Sequence, residues 1–337
     1  MSSYGACLTD KGDRNENQDF VLLKEQEDKT VLGIFDGHGS NGKSCAEKTK
    51  DFFSNYDFTA DLETCFIEAH ASFKENKSAN FSGTTATTIL VFESHLLVGN
   101  VGDSEAISIF ANGRANTITV KHQLSDEDEK QRVINGGGRV ERQRGKNGQP
   151  MDRGPFRVWL PDIQTPGLMV SRSIGDIMCH DIGVTATPSI SRIERTADLV
   201  AVIIGSDGLW DFVTPEQASE FVAVFIEPET AAYGLVKLAH SQQTRLHSDN
   251  VSVVVYFLES KQAREERIQT DPQAKEKLEE TMKKIKDFEN KIELNSKTTI
   301  LKTKDVDQPN TGSILFGNVT AAKVEAPQSP SKACIIL

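Results

Sequence analysis

Residues 84–110 read TTATTILVFESHLLVGNVGDSEAISIF, and this stretch decides the predicted fold. It contains three short runs rich in β-branched and apolar residues, at 84–92, 96–101 and 105–110, and a further run follows at 116–120. Short strands joined by tight links are typical of antiparallel hairpins, whereas neighbouring parallel strands need a long crossover, usually a helix. The stretch therefore predicts an antiparallel sheet and argues against a doubly wound α/β fold.

Further elements extend this prediction in both directions along the chain. Strand-like runs occur at 19–24, 30–35, 199–204 and 251–258, and helical spacing occurs at 42–55, at 61–77 and, as two helices, within 215–243. Helices and strands without a regular βαβ alternation are typical of an α+β protein. We predict an α+β body over residues 1–258 in which antiparallel sheet dominates.

Composition and charge exclude several classes of protein. The 337 residues include 38 Lys and Arg against 49 Asp and Glu, a net charge of −11, which argues against a protein that binds nucleic acid. The N-terminus has no apolar signal region, and no apolar run is long enough to span a bilayer. The five cysteines are odd in number and lack C-x-x-C spacing, which favours free thiols in a reducing compartment. We expect an intracellular, cytoplasmic monomer.

Aspartates recur at the ends of the predicted strands. Asp36 and Asp207 each follow a strand-like run, and Asp249 precedes the last one. Carboxylates gathered at one sheet edge repel each other unless cations compensate them, and divalent cations with oxygen ligands are the usual solution. A single such Asp is more often a turn-former. Together with Asp103 and Asp211, the three indicate a metal cluster.

Seven segments resemble the ordered motif series of the metal-dependent protein phosphatases, the PPM or protein phosphatase 2C family. The segments are GDRNENQD (12–19), FDGHG (35–39), SGTTA (82–86), VGDSEA (101–106), VSRSIGD (170–176), SDGLWD (206–211) and SDN (248–250). They follow the family order across the body, and it is this order that makes the resemblance specific. The resemblance implies a four-layer αββα fold, an antiparallel β-sandwich flanked by α-helices.

The resemblance also implies a protein serine/threonine phosphatase. Phosphorylated proteins would be hydrolysed by a water that bridges two Mg²⁺ or Mn²⁺ ions. By their match to the family motifs, Asp36 would bridge both metals and the Gly37 carbonyl would bind one of them. Asp207 and Asp249 would complete the other metal, and Asp19 would reach the cluster through water.

Other matched positions concern a third metal and the phosphate. Asp103 and Asp211 match positions that hold a weaker third metal in some members. Arg14 matches the phosphate-binding arginine, and His38 would protonate the departing seryl or threonyl oxygen. Many members have Glu-Asp where this chain has Gln18-Asp19, which removes one negative charge, so we expect activity with weaker metal affinity.

Two further segments receive an interpretation near the site. We interpret Arg172 and Asp176 as a structural ion pair. Residues 139–157 are basic and correspond to a flap beside the family's site, where Arg142, Arg144 and Lys146 would receive phosphopeptides. A solvated insertion explains the same composition equally well.

Two other functions are compatible with parts of the sequence. Residues 37–44, GHGSNGKS, match the P-loop pattern after a strand and before a helix, but the body lacks the βαβ order of P-loop domains. The second rival is a catalytically weak or inactive interaction protein that keeps the phosphatase fold. Retention of every matched metal Asp argues against it.

The C-terminal region divides into a helix and a tail. Residues 259–293 are highly charged, with a helix start at Asp271-Pro272 and an apolar stripe that begins at Leu278. This helix either packs on its own body or binds a partner. Residues 294–337 resemble a flexible tether, and their last four, Cys334-Ile-Ile-Leu, match a C-a-a-X box for geranylgeranylation. We therefore expect peripheral membrane attachment through a prenylated Cys334.

Overall fold

The computed structural model describes residues 3–59, 61–145, 149, 151–244, 248–291 and 299–302. Its strands are β1 Tyr4–Asp10, β2 Asp19–Glu25, β3 Thr30–His38, β4 Gly83–Thr84, β5 Ala86–Val91, β6 His95–Val101, β7 Glu105–Phe110, β8 Ala115–Thr117, β9 Arg139–Arg142, β10 Phe156–Trp159, β11 Pro166–Leu168, β12 Ile174–Gly175, β13 Ser189–Glu194, β14 Leu199–Gly205, β15 Val251–Phe257 and β16 Thr299–Lys302. Its α-helices are α1 Gly42–Asn55, α2 Leu62–Ala71, α3 Glu127–Asn135, α4 Ile177–His180, α5 Asp207–Trp210, α6 Pro215–Val222, α7 Pro228–Gln242, α8 Lys261–Thr270 and α9 Ala274–Lys291.

Two antiparallel sheets form the centre of the fold. One has the order β16-β1-β15-β14-β7-β8, and the other has the order β12-β4-β3-β5-β6-β13, with β2 also paired to β3. The predicted hairpin of β5 and β6 is present, with Ala86 opposite Val101. The next predicted hairpin is wrong, because β7 leaves that sheet and pairs with β14 and β8. The link 102–104 therefore crosses between the sheets, and Asp103 lies at the crossing.

Alternating side chains along each strand build three apolar layers. In β15, Val253 and Val255 pack in the cluster shared with α6 and α7, whereas Val254 and Tyr256 lie between the sheets. β3 has the same alternation, with its odd-numbered apolar residues toward α1 and α2 and its even-numbered ones toward the opposite sheet. Because each sheet is apolar on both faces, helices cover both outer sides. The predicted four-layer αββα arrangement is confirmed.

A small third sheet lies outside the sandwich and begins in the segment 139–157 interpreted as a flap; we name the region from β9 to Val170 the flap. The sheet has the order β11-β10-β9. Its own apolar cluster includes Val158 and Leu168, and Val133 of α3 packs into the same cluster. The flap therefore rests on a base formed by α3 and is stabilised by its own core.

The C-terminal elements pack on the body. Ile285 of α9 is 4% exposed and lies in the α6–α7 cluster, with Leu278 and Met282 packed against the same cluster. Of the two alternatives for this helix, the structure shows the first, packing on its own body. The region 259–293 predicted as helical forms two helices, because α8 ends at Thr270 and α9 begins at Ala274, after the break at Asp271-Pro272. Residues 299–302, within the predicted tether, form β16 on the outer edge of β1. Among the described residues, no helix is long and apolar enough to cross a membrane.

Candidate active site and metal centre

The first two predicted metal ligands lie opposite each other on neighbouring strands. In the β2–β3 ladder, Asp19 is the cross-strand partner of Asp36. Directly opposite residues of an antiparallel pair point to the same face with Cβ atoms about 5 Å apart. Asp19 is 4% exposed, its Oδ2 has no hydrogen-bond partner among the described residues, and burial raises its pKa to about 6. This end of the sheet therefore holds two close carboxyl groups.

Two more aspartates lie at the corresponding end of the other sheet. Asp207 opens α5 directly after β14, and Asp249 lies just before β15, the antiparallel neighbour of β14. The backbones meet closely here, since a Cβ placed on Gly208 would lie 1.9 Å from the carbonyl oxygen of Asn250. Only glycine permits this approach, which brings Asp207 and Asp249 to one place.

The two sheet ends meet and form one acidic cluster, which we name the aspartate cluster: Asp19, Asp36, Asp103, Asp207 and Asp249. Burial, followed by the carboxylates of Asp19, Asp207 and Asp249, raises the pKa of Asp36 well above its ordinary value. Burial and the carboxylates of Asp103 and Asp249 do the same for Asp207. The charges repel each other because the chain provides too few cations to compensate them.

These residues fit a divalent cation of the kind that prefers oxygen ligands. The donor set consists of carboxylates, and the buried, unpartnered Oδ2 of Asp19 is a free acceptor directed into the protein. No three Asp, Glu, His or Cys side chains of the described part form a ready group around one ion. A complete protein shell is not required, because Mg²⁺ usually keeps several waters and takes one or two carboxylates. Gly37, the remaining predicted ligand, donates its N–H to the Gln18 carbonyl at 3.2 Å.

The residues matched to a third metal have a lysine beside them, which the sequence analysis missed. Lys121 Nζ lies 2.9 Å from Glu105 Oε1. Backbone hydrogen bonds from His122 to Gly102 and from Ile118 to Ala106, both 2.9 Å, hold its segment against the crossing link. Burial raises the pKa of both Asp103 and Asp211, and the Lys121 charge offsets part of that rise. No sequence motif marks this lysine, because its position depends on the crossing.

Arg14 lies at the rim of the aspartate cluster. Its Nη2 donates to Asp249 Oδ2 at 2.7 Å and its Nε donates to the Ser248 carbonyl at 2.7 Å. The side chain remains 53% exposed. The structure thus brings Arg14 to the predicted site with part of its guanidinium already engaged.

The predicted pair of Arg172 and Asp176 is wrong. Arg172 Nη2 donates to Glu129 Oε1 of α3 at 2.6 Å, and Asp176 Oδ2 lies 2.6 Å from His38 Nε2. The four-residue spacing resembles a helical pair, but β12 separates the two residues and sends their side chains to different partners. Burial alone would lower the pKa of His38, but the Asp176 carboxylate raises it overall.

The cluster opens into a cleft of about 260 Å³. Asp36, His38, Asp103, Asp176 and Asp207 line it together with Arg157 and residues 166–170 of the flap. Arg142 and Arg144 are engaged within the flap region, with Gly154 and Glu141 respectively, and Lys146 lies outside the described residues. Arg157 is the basic flap residue at the cleft, and it donates to the Gly167 carbonyl at 2.6 Å.

Two other candidate residues lie apart from this cleft or outside the described part. Lys43 of the P-loop pattern forms an ion pair with Glu16 at 3.2 Å, and the strand before it belongs to an antiparallel sheet. The nucleotide-binding alternative therefore lacks both its lysine position and its sheet. Cys334 lies outside the described residues, while Cys7, Cys45, Cys65 and Cys179 are buried.

Comparisons with known proteins agree with this arrangement. A family model described as Protein phosphatase 2C matches residues 7–248. "Probable protein phosphatase 2C 73" of Arabidopsis thaliana is 29% identical over 304 residues, covering 77% of this chain and 80% of the relative. "Probable protein phosphatase 2C 59" of the same plant is 31% identical over 277 residues, with 77% and 81% covered.

Solved structures show the same fold at lower identity. The serine-threonine phosphatase 2C of Toxoplasma gondii superposes with a TM-score of 0.65 at 21% identity, covering 76% of this chain and 96% of that chain. A sex determining protein of C. elegans has a TM-score of 0.62 at 21% identity, with 78% and 67% covered. The length of the family match and the identity to its members establish the relationship: the chain belongs to the protein phosphatase 2C family of serine/threonine protein phosphatases.

Proposed function

We propose that this protein removes phosphate from phosphoserine and phosphothreonine side chains of other proteins, with two Mg²⁺ or Mn²⁺ ions held by the aspartate cluster. The observation that carries the proposal is the meeting of five carboxylates where the ends of the two sheets come together, three of them lining the cleft. Burial and the neighbouring carboxylates raise the pKa values of Asp36 and Asp207 there. A cluster of this kind becomes more stable when cations bind it from solution.

Specific residues would hold the cations. Asp36, Asp207 and Asp249, with the Gly37 carbonyl, would supply direct ligands, and Asp19 would act through water. When bound, the ions supply positive charge that neutralises the phosphate and lowers the pKa of an attacking water. Asp103 and Asp211 would hold a third, weaker ion, next to the Lys121 ammonium.

The protein's own side chains complete the chemistry. Arg14 at the rim would bind phosphate oxygens, because its planar guanidinium offers donors in a fixed fork. His38 faces the same cleft and is the candidate that protonates the departing seryl or threonyl oxygen. Arg157 and residues 166–170 of the flap also line the cleft and would limit the access of bulk water to the reacting groups.

A phosphopeptide assay tests the proposal. We expect the full chain to release phosphate from phosphoserine and phosphothreonine peptides with Mn²⁺ or Mg²⁺, and to lose this activity in EDTA. Asp207→Asn should abolish turnover, whereas Asp198→Asn, which neutralises an exposed aspartate remote from the cleft, should not change it. Folded wild-type protein that releases no phosphate with either cation would favour the inactive interaction protein instead.

We also propose that Cys334 carries a geranylgeranyl group and attaches the protein peripherally to an intracellular membrane. The support is the terminal sequence Cys-Ile-Ile-Leu alone. One chain with few nearby basic residues gives reversible binding. Mass spectrometry of protein from its native cells should show a modified Cys334 and loss of the last three residues. A free Cys334 followed by an intact Leu337 would contradict the proposal.

A further inference from the structure

The partner of His38 is the buried carboxylate of Asp176, which has few other hydrogen-bond partners among the described residues. Asp176 is 1% exposed. Its Oδ2 lies 2.6 Å from His38 Nε2 and accepts a second hydrogen bond from Ser173 Oγ at 2.7 Å. Its Oδ1 is buried and has no hydrogen-bond partner among the described residues. A buried carboxylate left half-satisfied costs free energy, so its retention indicates a role beyond packing.

The backbone holds Asp176 in a conformation that few residues adopt. Its φ of 45° and ψ of 43° lie in the left-handed region, and Gly175 before it has a φ of 90°. The Asp176 N–H donates to the Ser82 carbonyl at 2.9 Å, and a Cβ on Gly83 would lie 2.3 Å from Asp176 Oδ2. Strained residues persist only where the surroundings hold them, and they concentrate at functional sites. The fold therefore delivers this carboxylate to a defined point beside His38.

The contact selects one nitrogen of the imidazole. His38 lines the cleft together with Asp36, Asp176 and Asp207. Asp176 Oδ2 already accepts from Ser173 Oγ, and with a carboxylate oxygen as the acceptor of the second contact, the ring atom facing Asp176 carries a hydrogen. Nε2 is therefore engaged as a donor to Asp176, and Nδ1 is the nitrogen that remains for a substrate.

We propose that Asp176 is a positioning residue for His38: it accepts the Nε2 hydrogen and thereby orients the ring so that Nδ1 presents its proton to the departing seryl or threonyl oxygen. This inference rests on the proposed function. In the step, a water oxygen bonds to phosphorus while the bond from phosphorus to the seryl oxygen breaks. The seryl oxygen takes the Nδ1 proton, the attacking water loses a proton to solvent, and His38 regains its proton from solvent after the products leave.

Comparison of two substrates separates positioning from a merely structural role. A phosphothreonine peptide has an alkoxide leaving group that needs a proton, whereas p-nitrophenyl phosphate releases a stabilised nitrophenolate that does not. General acid catalysis contributes roughly 10²–10⁴-fold to rate. With Mn²⁺ present, we expect Asp176→Asn to lower kcat for the peptide by about 10–100-fold and kcat for p-nitrophenyl phosphate by less than about 3-fold, with KM nearly unchanged. Asn is the suitable replacement because it also tolerates the left-handed backbone.

Two controls use the other residues that are hydrogen-bonded to Asp176, Ser173 and His38. Ser173→Ala removes the second donor to Asp176 but leaves the imidazole contact, so its peptide kcat should fall far less than that of Asp176→Asn. In a His38→Gln background, Asp176→Asn should cause no further loss for the peptide, because both changes remove the same proton transfer. Equal losses on the two substrates, or additive losses in the double variant, would overturn the inference.

A measurement on the unmodified chain covers the case in which Asp176→Asn does not fold. In ¹⁵N-labelled wild-type protein with Mg²⁺, assigned by comparison with His38→Gln, Nε2 of His38 should carry a hydrogen protected from exchange. An Nε2 without a hydrogen would overturn the inference. Wild-type protein that hydrolyses neither substrate with Mn²⁺ would contradict the proposed function instead.

Discussion

Two buried acidic sites of this protein differ in the direction in which their surroundings shift the pKa of the carboxyl groups. At the base of the flap, Glu129 is buried, but Arg132 Nη1 and Nη2 donate to it at 2.8 Å and Arg172 Nη2 at 2.6 Å. Burial alone would raise the pKa of Glu129, yet hydrogen bonds from Arg132, Arg172 and Ser171 lower it far below its ordinary value. In the aspartate cluster, burial and neighbouring carboxylates raise the pKa of Asp36 and Asp207.

The difference separates a structural acid from a functional one. The chain supplies its own cations to Glu129, so that site is complete when the protein folds. Beside the five carboxylates of the aspartate cluster, the described part of the chain places Arg14 at the rim, His38 and Lys121, so the cluster is under-compensated and attracts cations from solution. A buried carboxylate with matched arginines stabilises the fold, whereas a group of unmatched carboxylates lowers stability until ions bind.

The largest expected effect distinguishes activity from stability within the aspartate cluster. Asp36→Asn should reduce kcat for a phosphopeptide by roughly 10²–10³-fold, because it removes a carboxylate that would hold the cations that stabilise the charge of the transition state. In EDTA its thermal midpoint should equal or exceed that of the wild type, since one repelling carboxylate is gone. Calorimetry and phosphate release measure the two quantities. A clear fall of the metal-free midpoint would mean that Asp36 is a structural residue like Glu129.

Removal of the Glu129 carboxylate should lower the stability of the fold. Glu129→Ala leaves Arg132 and Arg172 without their partner, and breaking a buried pair costs about 3 kcal/mol in the free energy of unfolding. Glu127→Ala on the same helix is the control, because Glu127 is 73% exposed and its pairing with Lys130 should contribute less than about 1 kcal/mol. Urea unfolding, with and without Mg²⁺, measures both. Equal midpoints for the two variants would mean that Glu129 contributes no more to stability than the exposed Glu127.

Metal addition should stabilise the protein through the aspartate cluster alone. Mg²⁺ at about 100 times its dissociation constant adds about 2.7 kcal/mol for each occupied site, or about 5–10 °C in thermal midpoint for a body of this size. Glu129→Ala should keep this increment and Asp36→Asn should lose most of it. An equal increment in all three proteins would place the bound ions elsewhere.

Acid should affect the Glu129 site in a defined direction. Because its folded pKa lies below the ordinary 4.5, the stability that Glu129 contributes is complete above that pH and is lost as the pH falls below it. In metal-free protein between pH 3 and 7, the wild type should therefore lose stability below pH 4.5 more steeply than Glu129→Gln, by up to about 1.4 kcal/mol per pH unit. Parallel profiles would contradict the assignment.

The smallest expected effect concerns Gln18. Its Nε2 donates to the Gly39 carbonyl at 3.2 Å, beside the end of β3. Gln18→Glu adds a negative charge near the cluster but loses this donor, so Mg²⁺ affinity should rise by only about 3–10-fold, or roughly 1 kcal/mol. Asn15→Asp adds the same charge at an exposed neighbouring position and should change affinity less. Titration calorimetry compares them, and equal affinities would assign no role to position 18.

Much of the fold followed from short runs of apolar and β-branched residues in the sequence. The strand predicted at 105–110 has the observed bounds of β7, and the strand predicted at 30–35 lies within β3. The elements that were missed depend on distant partners. β1 is a strand because it lies between β15 and β16, and β9–β11 are short strands that stabilise one another over α3. Short segments of this kind carry little local signal, since packing decides their conformation.

The candidate site shows the same division. The positions of Asp36, Asp207 and Asp249 near strand ends could be predicted from the sequence, because a strand end is a local feature and the motif order marks it. The partners of His38 and Arg172 could not be predicted from the sequence, and the local pairing inferred for Arg172 and Asp176 was wrong. Side chains four residues apart meet on a helix, but here a two-residue strand lies between them.

The sequence by itself determined the family, the antiparallel α+β class and the residues that carry charge to the strand ends. These depend on residue types and their order, which folding does not change. The tertiary structure alone decided that β7 crosses to the second sheet, that Lys121 lies beside Asp103, and that Asp176 turns to His38 while Arg172 turns to Glu129. Each of these is a contact between distant segments, and electrostatic compensation depends on distance in space, not along the chain.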